Sequence, residues 1–229
     1  SGESGWGMSI AKNDDRLFAT LFAYDTNGRP QWLLLQDAKW DAVHEVYHGN
    51  LYRPTSAPYG NYDSARFSMG EAVGTGSLSF LGKDDGHFDY TIDGYSGGKT
   101  LERYMFAPHG DVRAPRAGMW WGGSGQDGWG VSIQEQGDVM FATWYSYGSD
   151  GNVTWLYMPA GRKTGASTYA GPVYRTSGVA WVGTRFDGSK TRASAVGSME
   201  LTFKDADHAI MTTVVDGISF SQSLQRFPF

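Results

Sequence analysis

A stretch of six residues occurs twice, and most of the chain keeps step with it. Gly5-Trp6-Gly7-Met8-Ser9-Ile10, followed by Leu17-Phe18-Ala19-Thr20, returns 123 residues later as Gly128-Trp129-Gly130-Val131-Ser132-Ile133, followed by Met140-Phe141-Ala142-Thr143. The same offset aligns Asp15 with Asp138, Tyr24 with Tyr147, Gly28 with Gly151, Trp32 with Trp155, Phe80 with Phe203, Asp93-Gly94 with Asp216-Gly217 and Arg103 with Arg226. A repeat of domain length means one structural unit written twice, so whatever one copy folds into, the other must be able to fold into as well.

Within each copy apolar and polar residues alternate with period two, and Gly, Asp and Asn punctuate the runs, the pattern of antiparallel strands joined by hairpins. The first copy predicts strands over 7–12, 16–24, 30–35, 45–53, 72–81, 87–93 and 99–106. A loop holding Trp40 follows the third, and 54–67 is irregular. Gly28 and Gly151 supply the positive φ that tight turns need. No run of ten residues has sustained helical periodicity. The fold class is therefore all-β: two tandem antiparallel up-and-down β-barrels, or meander sandwiches, over 1–106 and 118–229. Residues 107–117, with Pro108, Gly110 and Pro115, form the linker. In the second strand Phe18, Thr20, Phe22 and Tyr24 keep their character in Phe141, Thr143, Tyr145 and Tyr147. The opposite face changes, Leu21 becoming Trp144, so the face held alike is expected to be the core. Gly118-Met119-Trp120-Trp121 can form an eighth strand before the second copy, and its counterpart would fall before residue 1. That strand either lies upstream in a longer chain or is supplied by a neighbour.

Composition narrows the function. A net charge of −5 without a Lys/Arg run argues against nucleic acid, whose binding needs clustered cations. The absence of cysteine removes disulfides, thiol chemistry and cysteine-based zinc sites. No apolar run approaches a membrane span, no signal peptide is present, and Ser1-Gly2 looks like a trimmed start. His44 and His48 point to one face of a strand about 13 Å apart, too far for one metal. The carboxylates Asp15/Asp138, Asp63/Asp187, Asp84/Asp207 and Asp93/Asp216 stand mostly in turns, where Asp bonds local backbone. No metal or other cofactor is called for.

Aromatic residues carry the functional expectation. Trp6/Trp129 and Trp32/Trp155 recur and read as structural. Trp40, Trp120, Trp121, Trp144 and Trp181 lack clear aromatic counterparts. With Tyr59 and Tyr62 they are the candidate ligand-binding residues, flat platforms for a carbohydrate or another small ligand. The expected function is a non-catalytic binding module. The alternative is a polysaccharide-active hydrolase or lyase, with its site at the cleft between the copies and acid/base candidates His44, His48, His87 and Tyr59. A structural repeat that self-associates through its copies is the third reading.

The pattern Ser4-Gly5-Trp6-Gly7, Phe18-Ala19-Thr20, Tyr24, Gly28, Trp32 and its second copy resemble a repeat of secreted or surface proteins of proteobacteria. That resemblance implies an extracellular or cell-surface bacterial protein. Gly118-Met119-Trp120 with the late Arg226 resembles the calycin barrels (lipocalins, fatty-acid-binding proteins, avidins), in which a basic residue late in the chain packs over the Trp of a Gly-x-Trp strand. It implies a barrel closed at one end by a guanidinium over an indole.

Overall fold

The computed structural model describes residues 3–107 and 115–229. Fifteen strands follow in order: β1 (Gly7–Asn13), β2 (Arg16–Tyr24), β3 (Pro30–Asp41), β4 (Val46–Tyr52), β5 (Ala72–Phe80), β6 (Asp85–Ile92), β7 (Tyr95–Glu102), β8 (Gly118–Trp121), β9 (Gly130–Gln136), β10 (Val139–Tyr147), β11 (Val153–Lys163), β12 (Thr168–Ser177), β13 (Arg192–Phe203), β14 (His208–Val215) and β15 (Ile218–Arg226). Single 3₁₀ turns at Tyr59–Asn61, Ser64–Arg66 and Gly188–Lys190 are the only helical pieces among the described residues. Strands β1 to β7 form a seven-stranded antiparallel meander. Strands β9 to β15 repeat that meander, and β8 joins β9 to β15 so that the second unit closes as an eight-stranded barrel. The all-β tandem architecture is thus as the sequence predicts, with one copy closed and the other an open, curled sheet. Residues 108–114 of the linker, with His109, lie outside the described residues, as do Ser1 and Gly2.

Strand β3 runs on to Asp41, past the end expected at residue 35, and carries Trp40. A break in the ladder between Leu35 and Lys39, with Asp37 at φ 54°, lets the strand resume its pairing after one irregular step. Gly28 and Gly151 turn at φ 77° and 75°, as their turns require.

The expectation about the second strand is corrected. Leu17, Ala19, Leu21 and Ala23, the face that varies between copies, fill the inside of the first sheet at 2% exposure or less. Phe18, Phe22 and Tyr24 point the other way and meet the second copy: Phe22 packs on Tyr145 and Trp155, Tyr24 on Trp155 and Phe186, and Phe18 on Phe227 and Phe229. The face alike in both copies is the surface each presents to the other. A barrel interior accepts any side chains of the right total volume, whereas a two-fold contact needs matching partners on both sides.

That contact is reciprocal in detail. The Trp32 indole N–H donates to the Ser146 carbonyl at 2.9 Å, and the Trp155 indole N–H donates to the Ala23 carbonyl at 3.1 Å. Ala23 and Ser146 are themselves repeat partners. The β4–β5 connection crosses to the second copy and the β12–β13 connection crosses to the first. The amide of Ser56 donates to the Gly151 carbonyl, and that of Gly178 to the Gly28 carbonyl. Tyr62 stacks on Tyr147, and Phe186 on Tyr24. Phe67 lies where a side chain on Gly128 would sit, and Thr191 does the same at Gly5. The chain ends follow the rule: Tyr104 and Phe106 pack on Phe141, as Phe227 and Phe229 pack on Phe18. Each copy therefore covers the other, and the pair shares one hydrophobic core.

Candidate functional site

Tyr59, Tyr62 and Trp144 do come together. Trp144 is buried at 2% exposure between Tyr59 and Phe220, with ring centres 5.4 and 5.2 Å away. With Trp129, Ser146 and Gln222 they surround a cavity of about 10 Å³, room for roughly one water and far too little for a sugar. The Tyr59 hydroxyl donates to Asp216 Oδ2 at 2.6 Å, and Arg175 clamps the same carboxylate at 2.6 and 3.2 Å. The Arg175 guanidinium, then the Tyr59 hydroxyl, holds Asp216 below the ordinary carboxylate range, while burial and then Asp216 push the Tyr59 phenol up. The first copy has the same ion pair, Arg53 to Asp93 at 2.6 Å, so the ion pair repeats as part of the fold, without the tyrosine.

The other predicted tryptophans lie apart. Trp181 is buried at 1% between Trp6 and Tyr90. Trp120, also at 1%, stands edge-on to Phe203 beneath Arg226, whose guanidinium carbon is 4.7 Å from the indole centre. Trp121 meets Phe227, and Trp40 is 41% exposed against Tyr47 on the far side of the first sheet. These residues do not form one platform.

Nor do the acid/base candidates assemble at the cleft. His44 sits in the β3–β4 turn against Asp41, and Tyr59 is locked in the contact described above. His48 and His87 do share the solvent face of the first sheet. The His48 ring bonds Ser77 at 2.8 Å, His87 bonds Asp89 at 3.2 Å, and Ser77 lies directly opposite Asp89. These side chains form a solvent-exposed polar row on neighbouring strands.

A different set of aromatics is better placed. On the outer face of the second barrel, beside the contact with the first copy, Tyr104, Phe141, Tyr157 and Tyr174 form a continuous row. Successive ring centres are 5.4, 6.1 and 5.7 Å apart. Pairing across β11 and β12 sets Tyr157 opposite Tyr174, and pairing across β9 and β10 sets Gln134 opposite Phe141. All four rings are partly or fully exposed. Burial, then the neighbouring phenols of Tyr24, Tyr174 and Tyr104, raises the pKa of Tyr157, so its hydroxyl stays protonated and able to donate. The equivalent row on the first copy is broken, because Leu34 stands where Tyr157 would be. That substitution is the sequence signal: within a face otherwise held alike, one position changes from aliphatic to aromatic.

Tyr104, Phe141 and Tyr157 of this row line one wall of a groove of roughly 1630 Å³. Its other wall is the open side of the first sheet, lined by β1, the β5–β6 turn and β7. Trp6 stands at its margin, with the Lys99 ammonium over its ring and Glu3 accepting from its N–H. Among the described residues no cluster of His, Asp and Glu could hold a metal ion, and no helix is long and apolar enough to cross a membrane. No family model, no curated protein and no solved structure matches the chain.

Proposed function

We propose that this protein is a non-catalytic carbohydrate-binding module of an exported bacterial protein, and that it holds its ligand on the Tyr104–Phe141–Tyr157–Tyr174 row. Export rests on the resemblance to secreted repeats. The observation that carries the binding reading is the row itself, a partly exposed aromatic strip on a rigid sheet and continuous on only one of two otherwise matched faces. A flat ring presents large contact area to the C–H face of a sugar while losing few rotamers. The Tyr hydroxyls and the Gln134 amide stand at its edge to meet sugar hydroxyls. A linear oligosaccharide spanning three or four rings fits this spacing, and the groove opposite gives it room.

Native mass spectrometry of the protein with a pool of neutral and acidic oligosaccharides tests the proposal. An intact adduct is expected, weakened about tenfold or more by Tyr157→Ala or Phe141→Ala with the circular dichroism spectrum unchanged. Tyr157→Leu, which copies the first repeat, should weaken it as well. Equal binding by these variants would refute the assignment to the row. Shortened or unsaturated products would replace the binding reading with the enzyme.

A further inference from the structure

Arg162 stands beside the aromatic row without an acidic partner among the described residues. Strand β11 pairs with β10 so that Tyr157 lies opposite Thr143 and Arg162 opposite Val139. Thr143, Phe141 and Val139 alternate along β10 and share the face that carries the row. Phe141 lies opposite Pro159 and Ala160 together, a break in the ladder after which pairing resumes at Gly161. Arg162 therefore returns to the outer face, one strand across from Phe141 and about 7 Å along. It is exposed and forms no ion pair among the described residues. Strands β9 to β12 hold a single carboxylate, Glu135, which is 6% exposed and tied to Arg116 and Tyr169.

The first copy shows the same place with an acid in it. At the offset of 123, Asp37 stands where Ala160 stands, Lys39 where Arg162, Arg16 where Val139 and Leu34 where Tyr157. Arg16 and Asp37 pair there, each about half exposed. An anion approaching Phe18 on that face meets the Asp37 carboxylate, whereas one approaching Phe141 meets Ala160 and then a guanidinium. Arginine in place of lysine adds two parallel N–H donors that match the two oxygens of a carboxylate. The change that completes the aromatic row and the change that removes the acid thus fall on one strand, β11.

We infer that the row takes an acidic oligosaccharide, a chain of uronic acid residues, with one sugar carboxylate held by the Arg162 guanidinium beside Phe141. The rings take the sugar faces and Arg162 selects the charge. This preference rests on the row being the binding surface, and the two can fail separately.

The test is isothermal titration calorimetry of the intact protein with tetrasaccharides of galacturonate, glucuronate and mannuronate, each beside its carboxyl-reduced, neutral form. At low ionic strength at least one uronate should bind about fivefold more tightly than its neutral form, and the difference should shrink as salt rises. Arg162→Ala should bring the acidic form down to the affinity of the neutral one, with Arg162→Lys between. Tyr157→Ala should weaken both forms alike. Equal affinity for acidic and neutral forms, or a preference that survives Arg162→Ala, would overturn the acidic assignment and leave the row standing. Tighter binding of a sulfated tetrasaccharide than of any uronate would overturn the assignment to a carboxylate. Uronate binding lost in Arg162→Ala but untouched by Tyr157→Ala would overturn the row instead, and no binding of any sugar would overturn both.

Discussion

Gly28→Ala measures how strongly the two copies hold one another. Gly28 has φ 77°, and a Cβ there would lie 2.1 Å from the Gly178 carbonyl oxygen, on the connection that crosses from the second copy. A methyl group cannot fit at that separation, so the segments must part by about 1 Å, which breaks the Gly178 N–H to Gly28 C=O bond of 3.0 Å. Gly94→Ala supplies the control, because Gly94 has φ 82° but nothing within 4 Å of an added Cβ. Both substitutions incur the left-handed backbone penalty, about 1–2 kcal/mol. Only the first also loses a buried hydrogen bond and its surrounding packing, about 1–3 kcal/mol more. Urea unfolding followed by far-ultraviolet circular dichroism and by Trp fluorescence should therefore place Gly28→Ala below Gly94→Ala by about 1–3 kcal/mol. The two probes should remain coincident, because the copies share a core and unfold together. Equal destabilisation by the two variants, or separate transitions for the two halves, would refute the reciprocal contact as a source of stability.

Three further outcomes follow from the same geometry. Trp32→Phe leaves the Ser146 carbonyl without its indole donor and should cost about 1–3 kcal/mol in urea unfolding, and Trp155→Phe, its repeat partner, should cost a similar amount. Arg226→Met uncaps Trp120 and frees the carbonyls of Pro115, Ala117 and Ala206, lowering stability by about 1–3 kcal/mol, whereas Arg103→Met, losing mainly an exposed pair with Asp84, should cost less than about 1 kcal/mol. Burial pushes the Tyr145 and Tyr169 phenols up to about 12, while an unfolded tyrosine ionises near pH 10. The unfolded chain thus loses these protons first, and stability present below about pH 10 should decline as pH rises towards 12. Tyr145→Phe should flatten part of that decline in a pH series of unfolding midpoints.

Much of this fold is legible in the sequence because the repeat allows one copy to check the other. Strand order, the turns at Gly28 and Gly151 and the eighth strand at Gly118–Trp121 all follow from alternation and offset. The role of the shared face does not. Phe18, Phe22 and Tyr24 read as core, and they are core, but of the contact between copies, which period-two alternation cannot distinguish from a barrel interior. The candidate site is less legible still. Trp144 and Trp181 lack partners in the repeat because they fill space on the inside, where different side chains can supply the same volume. The exposed row escapes notice because Phe141 and Tyr174 have aromatic partners in Phe18 and Tyr52. Only Tyr157, standing where Leu34 stands, marks it.

The crossed connections give this chain a freedom that a symmetric assembly lacks. In a homodimer of one unit, any substitution at the contact is present in both subunits, and a residue that suits one side must suit the other. Here the two sides are written separately. Phe67 meets Gly128 in one half while the smaller Thr191 meets Gly5 in the other, and the contact holds in both. One half can keep a position aliphatic while the other makes it a ring, as Leu34 and Tyr157 do. Two units of one repeat can thus differ in their sites without giving up the contact that each makes with the other.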